Sequence, residues 1–140
     1  MYEGSYWKRG FFGRDYRFLP DGESERNLDA RTAVFYMATL NTPAMTMKMV
    51  GAGSQYAWGD RDSSGAYLDG GKSYRLTLPP NVPAKNFWSV VVYDPQTRSE
   101  LQTSQPYPSK NNQASDLAEN PDGSIDLYFG PDAPEGYESN

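Results

Sequence analysis

Residues 87–93 of this chain read Phe-Trp-Ser-Val-Val-Val-Tyr and form its strongest predicted β-strand. Apart from Ser89 the run is apolar on both faces, which is typical of a central strand of a β-sandwich. Residues 72–78, Lys-Ser-Tyr-Arg-Leu-Thr-Leu, place tyrosine and leucine at every second position, as a half-buried strand requires. These two segments predict that the second half of the chain is mainly β.

Turn sequences separate these strands from their neighbours. Residues 62–65 (Asp-Ser-Ser-Gly), 94–97 (Asp-Pro-Gln-Thr) and 120–123 (Asn-Pro-Asp-Gly) carry the residue types that tight turns require. They predict further short strands at residues 55–61 and 124–129. Several short strands of this kind after one helix are typical of a β-sandwich.

The only predicted helix lies in the first part of the chain, within residues 24–42. Asn27 can act as the N-cap, and Asp29 in the first turn suits the positive end of the helix dipole. Pro43 ends the helix, because proline disfavours helical geometry at the residue before it. The apolar face at helical spacing comprises Ala30, Ala33, Val34, Met37 and Ala38.

Residues 1–22 interleave aromatic and basic side chains. Such a pattern can form a platform for single-stranded nucleic acid. The alternative is an extended arm whose rings cover a neighbouring surface while its charged groups stay in water, and the net charge of −5 favours the arm. We therefore predict an arm and helix over residues 1–50, followed by a β-sandwich domain over residues 51–140.

The composition excludes several chemistries and partners. With Cys 0 and His 0, this chain can form no disulfide, no thiolate nucleophile, no Cys/His zinc site and no histidine-based triad. The negative net charge predicts neither a nucleic-acid nor a membrane partner. No apolar run is long enough for a membrane span, and we expect no signal peptide within residues 1–140.

An aromatic and cationic rim for a small-molecule or carbohydrate ligand is the candidate binding site. It comprises Trp58, Tyr93, Asp94 and Arg98, although aromatic residues in such strands also serve as core residues. No catalytic residue can be assigned. Carboxylates at strand ends and turns leave carboxylate-based hydrolysis open, since their separation decides the mechanism. They are Asp60, Asp62, Asp94, Glu100 and Asp126.

The sequence Asp60-x-Asp62-x-Ser64-Gly65 copies the first half of a calcium-binding loop. Gly71 stands where that loop needs its bidentate glutamate, so the second half is missing. A hairpin turn is the favoured interpretation. We accordingly predict no metal site and no cofactor.

Four motifs follow one another in the second half of the chain: residues 56–62 (YAWGDRD), 68–74 (LDGGKSY), 87–94 (FWSVVVYD), and 120–124 (NPDGS) with Leu127-Tyr128. Their order and spacing make residues 55–140 resemble one bacterial family of unknown function, the domain numbered 1214. The resemblance implies a jelly-roll-like antiparallel β-sandwich, no established catalytic residues, and an N-terminal partner domain, usually the one numbered 1254.

Residues 1–50, including 28–32 (LDART) and 41–45 (NTPAM), resemble the segment that joins the two domains in longer members of the family. The resemblance therefore implies an inter-domain position for this arm and helix. It also implies an export signal at the start of the full chain, and hence an exported or periplasmic protein.

The family pattern continues beyond residues 137–140 into a tryptophan and a closing strand. We therefore expect this chain to be a fragment whose sandwich is incomplete at the C-terminus, with an open sheet edge that permits oligomerisation. The expected function is a non-catalytic binding or assembly module of a larger bacterial protein. The alternative is part of a hydrolase that acts on carbohydrate or ester substrates through carboxylates.

Overall fold

The computed structural model describes residues 4–9, 11, 15–38, 49 and 51–140. Within these residues it contains strands and one helix in the order β1 (Lys8–Arg9), α1 (Leu28–Ala38), β2 (Ala57–Trp58), β3 (Tyr74–Leu78), β4 (Ser89–Val91), β5 (Ser109–Asn111) and β6 (Ile125–Phe129). The strands form antiparallel pairs, β1 with β2, β3 with β6 and β4 with β5. The prediction of a mainly β chain with antiparallel sheets and one helix is confirmed.

The chain forms two compact units, Met1–Tyr67 and Leu68–Asn140. The first contains β1, α1 and β2, and the second contains β3 to β6. In the described residues, no helix combines the length and the apolar composition that crossing a membrane requires.

The helix α1 begins as the sequence predicts. The Asn27 side-chain oxygen accepts a hydrogen bond from the Ala30 N–H (2.8 Å), and the Asn27 carbonyl accepts one from Arg31 (3.2 Å). Asp29 lies in the first turn. Val34 is buried and the rest of the predicted apolar face is partly buried, whereas Leu28, Phe35 and Tyr36 are exposed. The predicted extension from residue 39 to residue 42 lies outside the described residues.

Phe18 is the buried aromatic residue of the first unit, at 5% exposure. Its ring packs edge-on against Phe11, with the ring centroids 5.9 Å apart. Its carbonyl accepts a hydrogen bond from the Asn27 N–H (2.7 Å), which ties this segment to the start of α1. The backbone of Phe18 has φ 58°, a conformation that a bulky residue rarely adopts and that the surrounding contacts must hold in place.

The aromatic arm pairs with β2 through β1. Lys8 lies opposite Trp58, and Arg9 lies opposite Ala57. The Trp7 ring covers Gly59, and the Tyr6 hydroxyl lies against Gly65 in the following turn. Aromatic side chains placed over glycines in this way shield exposed backbone and help to hold the strand register. The arm therefore has the covering role that the sequence indicates.

The ladder between β3 and β6 forms the core of the second unit. Its register places Tyr74 opposite Phe129 and Leu78 opposite Ile125. The predicted alternation of β3 is confirmed, because its tyrosine and leucines are partly buried and the residues between them are exposed. In the middle of β6, Leu127 is 1% exposed.

Asn140 occupies the outer edge of β6. Its backbone carbonyl accepts a hydrogen bond from the Tyr128 N–H (3.1 Å), and its side-chain amide donates to the Asp126 carbonyl (2.9 Å). The same amide pairs with both backbone groups of Ala118, donating to the carbonyl (2.8 Å) and accepting from the N–H (2.8 Å). The buried Asn140 side chain thus bridges β6 and the segment at Ala118, as a short strand between them would.

The open edge of this ladder belongs to β3. The outward N–H of Tyr128 binds Asn140, so the alternation of an antiparallel ladder directs the backbone groups of Arg75 and Thr77 away from β6. Within the described residues these groups have no backbone partner. Pro79 and Pro80 follow β3 and limit how far a further strand could extend along it.

The strand β4 differs from its prediction. One edge of β4 pairs with a return segment that begins near Glu100 and continues as β5. Residues 102–107 leave this pairing and form an excursion between the two parts. Phe87 and Tyr93, expected to be in a strand with two buried faces, are 51% and 50% exposed. The prediction of a central strand from this apolar run was therefore wrong, because hydrophobicity alone does not establish that a strand has neighbours on both sides. The polar strand β5, Ser-Lys-Asn, carries no strand signal in the sequence.

We expect Gly130→Ala to lower the free energy of unfolding by about 1–3 kcal/mol. Gly130 faces Ser73 at the end of the ladder, and a Cβ there would lie 3.2 Å from the Ser73 Cα and 2.6 Å from its hydroxyl. Gly70→Ala is the matched control, since nothing lies within 4 Å of its Cβ position. Urea denaturation followed by circular dichroism measures both variants; equal midpoints would contradict the close approach.

We expect Asn140→Asp to destabilise the second unit by about 1–3 kcal/mol. The carboxylate keeps the size of the amide but loses the two N–H bonds, and it places negative charge against the carbonyls of Ala118 and Asp126. Hydrogen exchange at the Ala118 and Tyr128 amides should accelerate. Asn112→Asp is the control, because the side-chain oxygen of the exposed Asn112 accepts a hydrogen bond from the Trp88 N–H (3.0 Å), and a carboxylate can accept the same bond. Unchanged exchange in Asn140→Asp would show that the amide does not hold the edge.

Candidate functional site

Three of the four predicted site residues lie in one loop of the second unit. The Asp94 N–H donates to the Ser99 carbonyl (3.0 Å), and the Arg98 N–H donates to the Asp94 carbonyl (2.8 Å). The Asp94 carboxylate oxygen Oδ1 accepts from the backbone N–H groups of Gln96 and Thr97, both at 2.8 Å. These bonds to the charged form lower the pKa of Asp94, with Thr97 the larger cause and Gln96 the next. The carboxylate therefore stabilises its own loop.

Arg98 closes this loop in a left-handed conformation, with φ 60°. Two other turns of the chain place glycine at the corresponding position, Gly65 with φ 85° and Gly123 with φ 80°. Glycine adopts this conformation without strain, whereas a residue with a Cβ does not. An arginine at this position is therefore retained at a conformational cost, which favours a role for its side chain.

Tyr93 lies at the base of the same loop and forms an isolated β-bridge with Glu100. Residues directly opposite each other in an antiparallel pair project from the same face. The exposed Tyr93 ring and the Glu100 side chain are therefore neighbours on one face. The structure thus places Tyr93, Asp94 and Arg98 at the end of one hairpin, and Glu100 lies there with them.

Trp58, the fourth predicted site residue, belongs to the first unit. It is partly buried and lies opposite Lys8, whose ammonium Nζ contacts the Asp60 carboxylate oxygen Oδ2 at 2.6 Å. Trp58 and the other three predicted rim residues therefore belong to different units, and the rim itself stays a prediction. Trp58 and Asp60 are two residues apart, a spacing that places them on one face of an extended segment. Pairing with Lys8 was not predicted, because it depends on the long-range partner of β2.

The half calcium loop is a hairpin turn. The Asp62 carboxylate accepts hydrogen bonds from the Ser64 N–H (2.8 Å), the Ser64 hydroxyl (2.6 Å) and the Ala66 N–H (3.1 Å). The β-bridge between Arg61 and Tyr67 spans the same turn. Within the described part of the chain, no three His, Cys, Asp or Glu side chains come together in a way that could hold a metal ion.

The other carboxylates also serve the structure. The exposed Arg75 lies 3.9 Å from the buried Asp126, whose carboxylate accepts a hydrogen bond from the Thr77 hydroxyl. The Ser124 hydroxyl and N–H lower the pKa of Asp122, and backbone N–H groups lower the pKa of Glu138. A general acid at neutral pH needs a pKa shifted upward, so Asp94, Asp122 and Glu138 are shifted in the wrong direction for that role.

These turns and strands lie within the part of the chain that matches a known family. Residues 53–140 match the family described as "Protein of unknown function (DUF1214)". This chain belongs to the DUF1214 family. The DUF1214 match includes Trp58, the loop from Asp94 to Arg98 and the ladder of β3 with β6, whereas β1 and α1 precede it. No match to a curated protein was found.

We expect the Asp94 carboxylate to make the stability of this DUF1214 chain depend on acid pH. Since its pKa is lowered in the folded state, its contribution is present above the ordinary value of 3.8 and is lost as pH falls through the folded pKa. Asp94→Asn keeps an oxygen that can accept the loop hydrogen bonds but has no charge to titrate. The melting temperature of the unsubstituted protein should therefore fall more steeply than that of Asp94→Asn as the pH is lowered below 3.8.

The exposed Asp116 provides the control for this measurement, since Asp116→Asn also removes one surface carboxylate. Parallel acid profiles for the unsubstituted protein and Asp94→Asn would show that the loop hydrogen bonds do not depend on the charge.

Proposed function

We propose that this chain is a non-catalytic binding or assembly module of a larger bacterial protein. The observation that supports the proposal is the distribution of its large apolar side chains. Among the described residues, Phe18, Val34 and Leu127 are the buried apolar residues. Thirteen large ones are exposed: Tyr6, Trp7, Leu28, Phe35, Tyr36, Met49, Tyr56, Tyr67, Leu68, Phe87, Tyr93, Leu101 and Tyr107. Exposed apolar surface of this kind marks interaction sites, and aromatic residues are enriched at interfaces.

The proposed interaction surface of the second unit is the hairpin formed by residues 87–107. Its exposed apolar side chains are Phe87, Tyr93, Leu101 and Tyr107. Phe87 and Tyr93 flank β4, Leu101 lies on the return segment, and Tyr107 lies on the excursion between that segment and β5. Because β4 has a described partner on one edge, the hairpin can present both backbone and side chains to another surface.

We propose a jelly-roll-like sandwich over residues 51–140 as the framework of this module, preceded by the arm and helix of residues 1–50. The antiparallel pairs of β3 with β6 and β4 with β5 are compatible with it. The open edge of β3 is the proposed route for oligomerisation. The proposed partner is an N-terminal domain of the full-length protein, of the kind numbered 1254, and the proposed location is exported or periplasmic; the family resemblance supports both.

The use of the carboxylates supports a non-catalytic role. Asp62, Asp94 and Asp122 accept hydrogen bonds within their own turns, and Asp60 pairs with Lys8. Groups committed in this way contribute to local stability and are poorly placed to exchange protons with a substrate.

Photo-cross-linking in the full-length protein tests the assembly surface. A photoreactive phenylalanine analogue at Phe87, Tyr93 or Tyr107 should cross-link to the N-terminal domain, because these exposed rings need an apolar cover. The same analogue at the exposed polar residues Gln102 and Gln113 is the control and should react at least about five-fold less, since interface cores are depleted of polar contacts. Mass spectrometry identifies the linked peptides.

Two results would contradict the proposal. One is equal cross-linking from the apolar and the polar positions. The other is turnover of a glycoside or an ester by the full-length protein that Asp94→Asn or Asp126→Asn abolishes while the fold is retained.

A further inference from the structure

We propose that Trp58 and Asp60, with Lys8 paired to the Asp60 carboxylate, form a binding site for the hydroxyl groups of a neutral saccharide. This inference rests on the proposed binding function and names a ligand class for it. It uses residues of the first unit, whereas the proposed assembly surface lies in the second.

The register of the first strand pair places the three side chains on one face. Lys8 is directly opposite Trp58, and Asp60 lies two residues beyond Trp58. Alternation along an extended chain therefore directs Trp58 and Asp60 to the same side. The diagonal ion pair of Lys8 with Asp60, at 2.6 Å, confirms that Lys8 reaches across this face. Trp7, one residue before Lys8, covers Gly59 and so belongs to the opposite face.

Two buried polar atoms on this face have unused hydrogen-bonding capacity. They are the indole Nε1 of Trp58, which can only donate, and the carboxylate oxygen Oδ1 of Asp60, which can only accept. Within the part of the chain that the structure describes, neither atom has a hydrogen-bond partner. Buried polar groups are normally paired, so two unpaired groups on one face need an explanation.

A hydroxyl group fits these two atoms, because it accepts one hydrogen bond and donates another. The ligand should also be neutral overall. Lys8 already compensates the charge of Asp60, so an added cation would compete with Lys8 and an added anion would face the carboxylate. Several hydroxyls on a ring can engage both atoms, while the C–H bonds of the ring pack on the indole. These requirements together describe a saccharide.

Lys8 lies at an exposed position beside the site. Its side chain is 56% exposed, and the Asp60 side chain is 45% exposed, so their ion pair is accessible to water. Ion pairs at such positions contribute little to stability and break readily. In the proposed site, breaking this ion pair lets a ligand reach Asp60 at little cost.

The test follows the tryptophan indole N–H signals by ¹H–¹⁵N NMR during titration with maltose, cellobiose or N,N′-diacetylchitobiose. The chain has 3 Trp, and the signal lost in Trp58→Phe identifies Trp58. At least one disaccharide should shift that signal saturably. Asp60→Asn should weaken binding about ten-fold, because the remaining amide oxygen stays with Lys8 and the NH₂ group cannot accept. Lys8→Ala should bind at least as tightly as the unsubstituted protein.

Trp88→Phe is the control, since it removes an indole of the second unit and should leave the affinity unchanged. Absence of any shift of the Trp58 signal in the folded protein would overturn the inference and indicate that the two atoms are hydrated only. Binding that Asp60→Asn does not weaken would also overturn it. Cross-links to the N-terminal domain without saccharide binding would refute this site alone, and saccharide binding without those cross-links would refute the assembly surface alone.

Discussion

The antiparallel ladder of β3 with β6 is the interaction on which the second unit depends. It buries Leu127 almost completely and brings residues 73 and 130 into close approach at its end. A strand pair this short leaves outward backbone groups on both sides, and buried groups of that kind must be paired. On the β6 side Asn140 meets this requirement with its backbone carbonyl and its amide. The architecture of this unit therefore rests on hydrogen bonding along one strand as much as on apolar burial.

Side-chain hydrogen bonds also stabilise the turns of the chain. Hairpin turns begin at Asp62, Asp94 and Asn120, and side-chain oxygens of the turn residues accept their N–H groups. Carboxylates that accept these hydrogen bonds stabilise the sharp turns, and the same bonds occupy their oxygens. Arg98 is an exception among the turn residues, because it adopts the left-handed conformation for which the other two turns use glycine. Among the described residues few apolar side chains are buried and many are exposed, which supports the binding role proposed for this DUF1214 protein.

Local features were predicted well and long-range partners were not. Asn27 as the helix cap, the alternation of β3 and the turn at residues 120–123 each depend on neighbouring residues, and each is confirmed. The pairing of β1 with β2, the polar strand β5 and the bridging amide of Asn140 join residues that are far apart in the chain. The apolar run 87–93 predicted a strand with two buried faces, but side-chain exposure depends on neighbours that the run does not specify. Of the candidate site, the group from Tyr93 to Arg98 is local, whereas the association of Trp58 with Lys8 is not.

The sequence by itself determined the class of fold, the positions of the turns, the cap of the helix, the family and the chemistries that a chain without cysteine or histidine cannot perform. These properties follow from residue type and short-range spacing, where backbone geometry leaves few choices. Only the tertiary structure decided which edge of β6 Asn140 covers, which apolar side chains remain exposed, and that Lys8 and Asp60 meet beside Trp58. The physical reason is that each of these depends on closing a long loop, and a pairing across such a loop is selected by the whole set of contacts rather than by any local pattern.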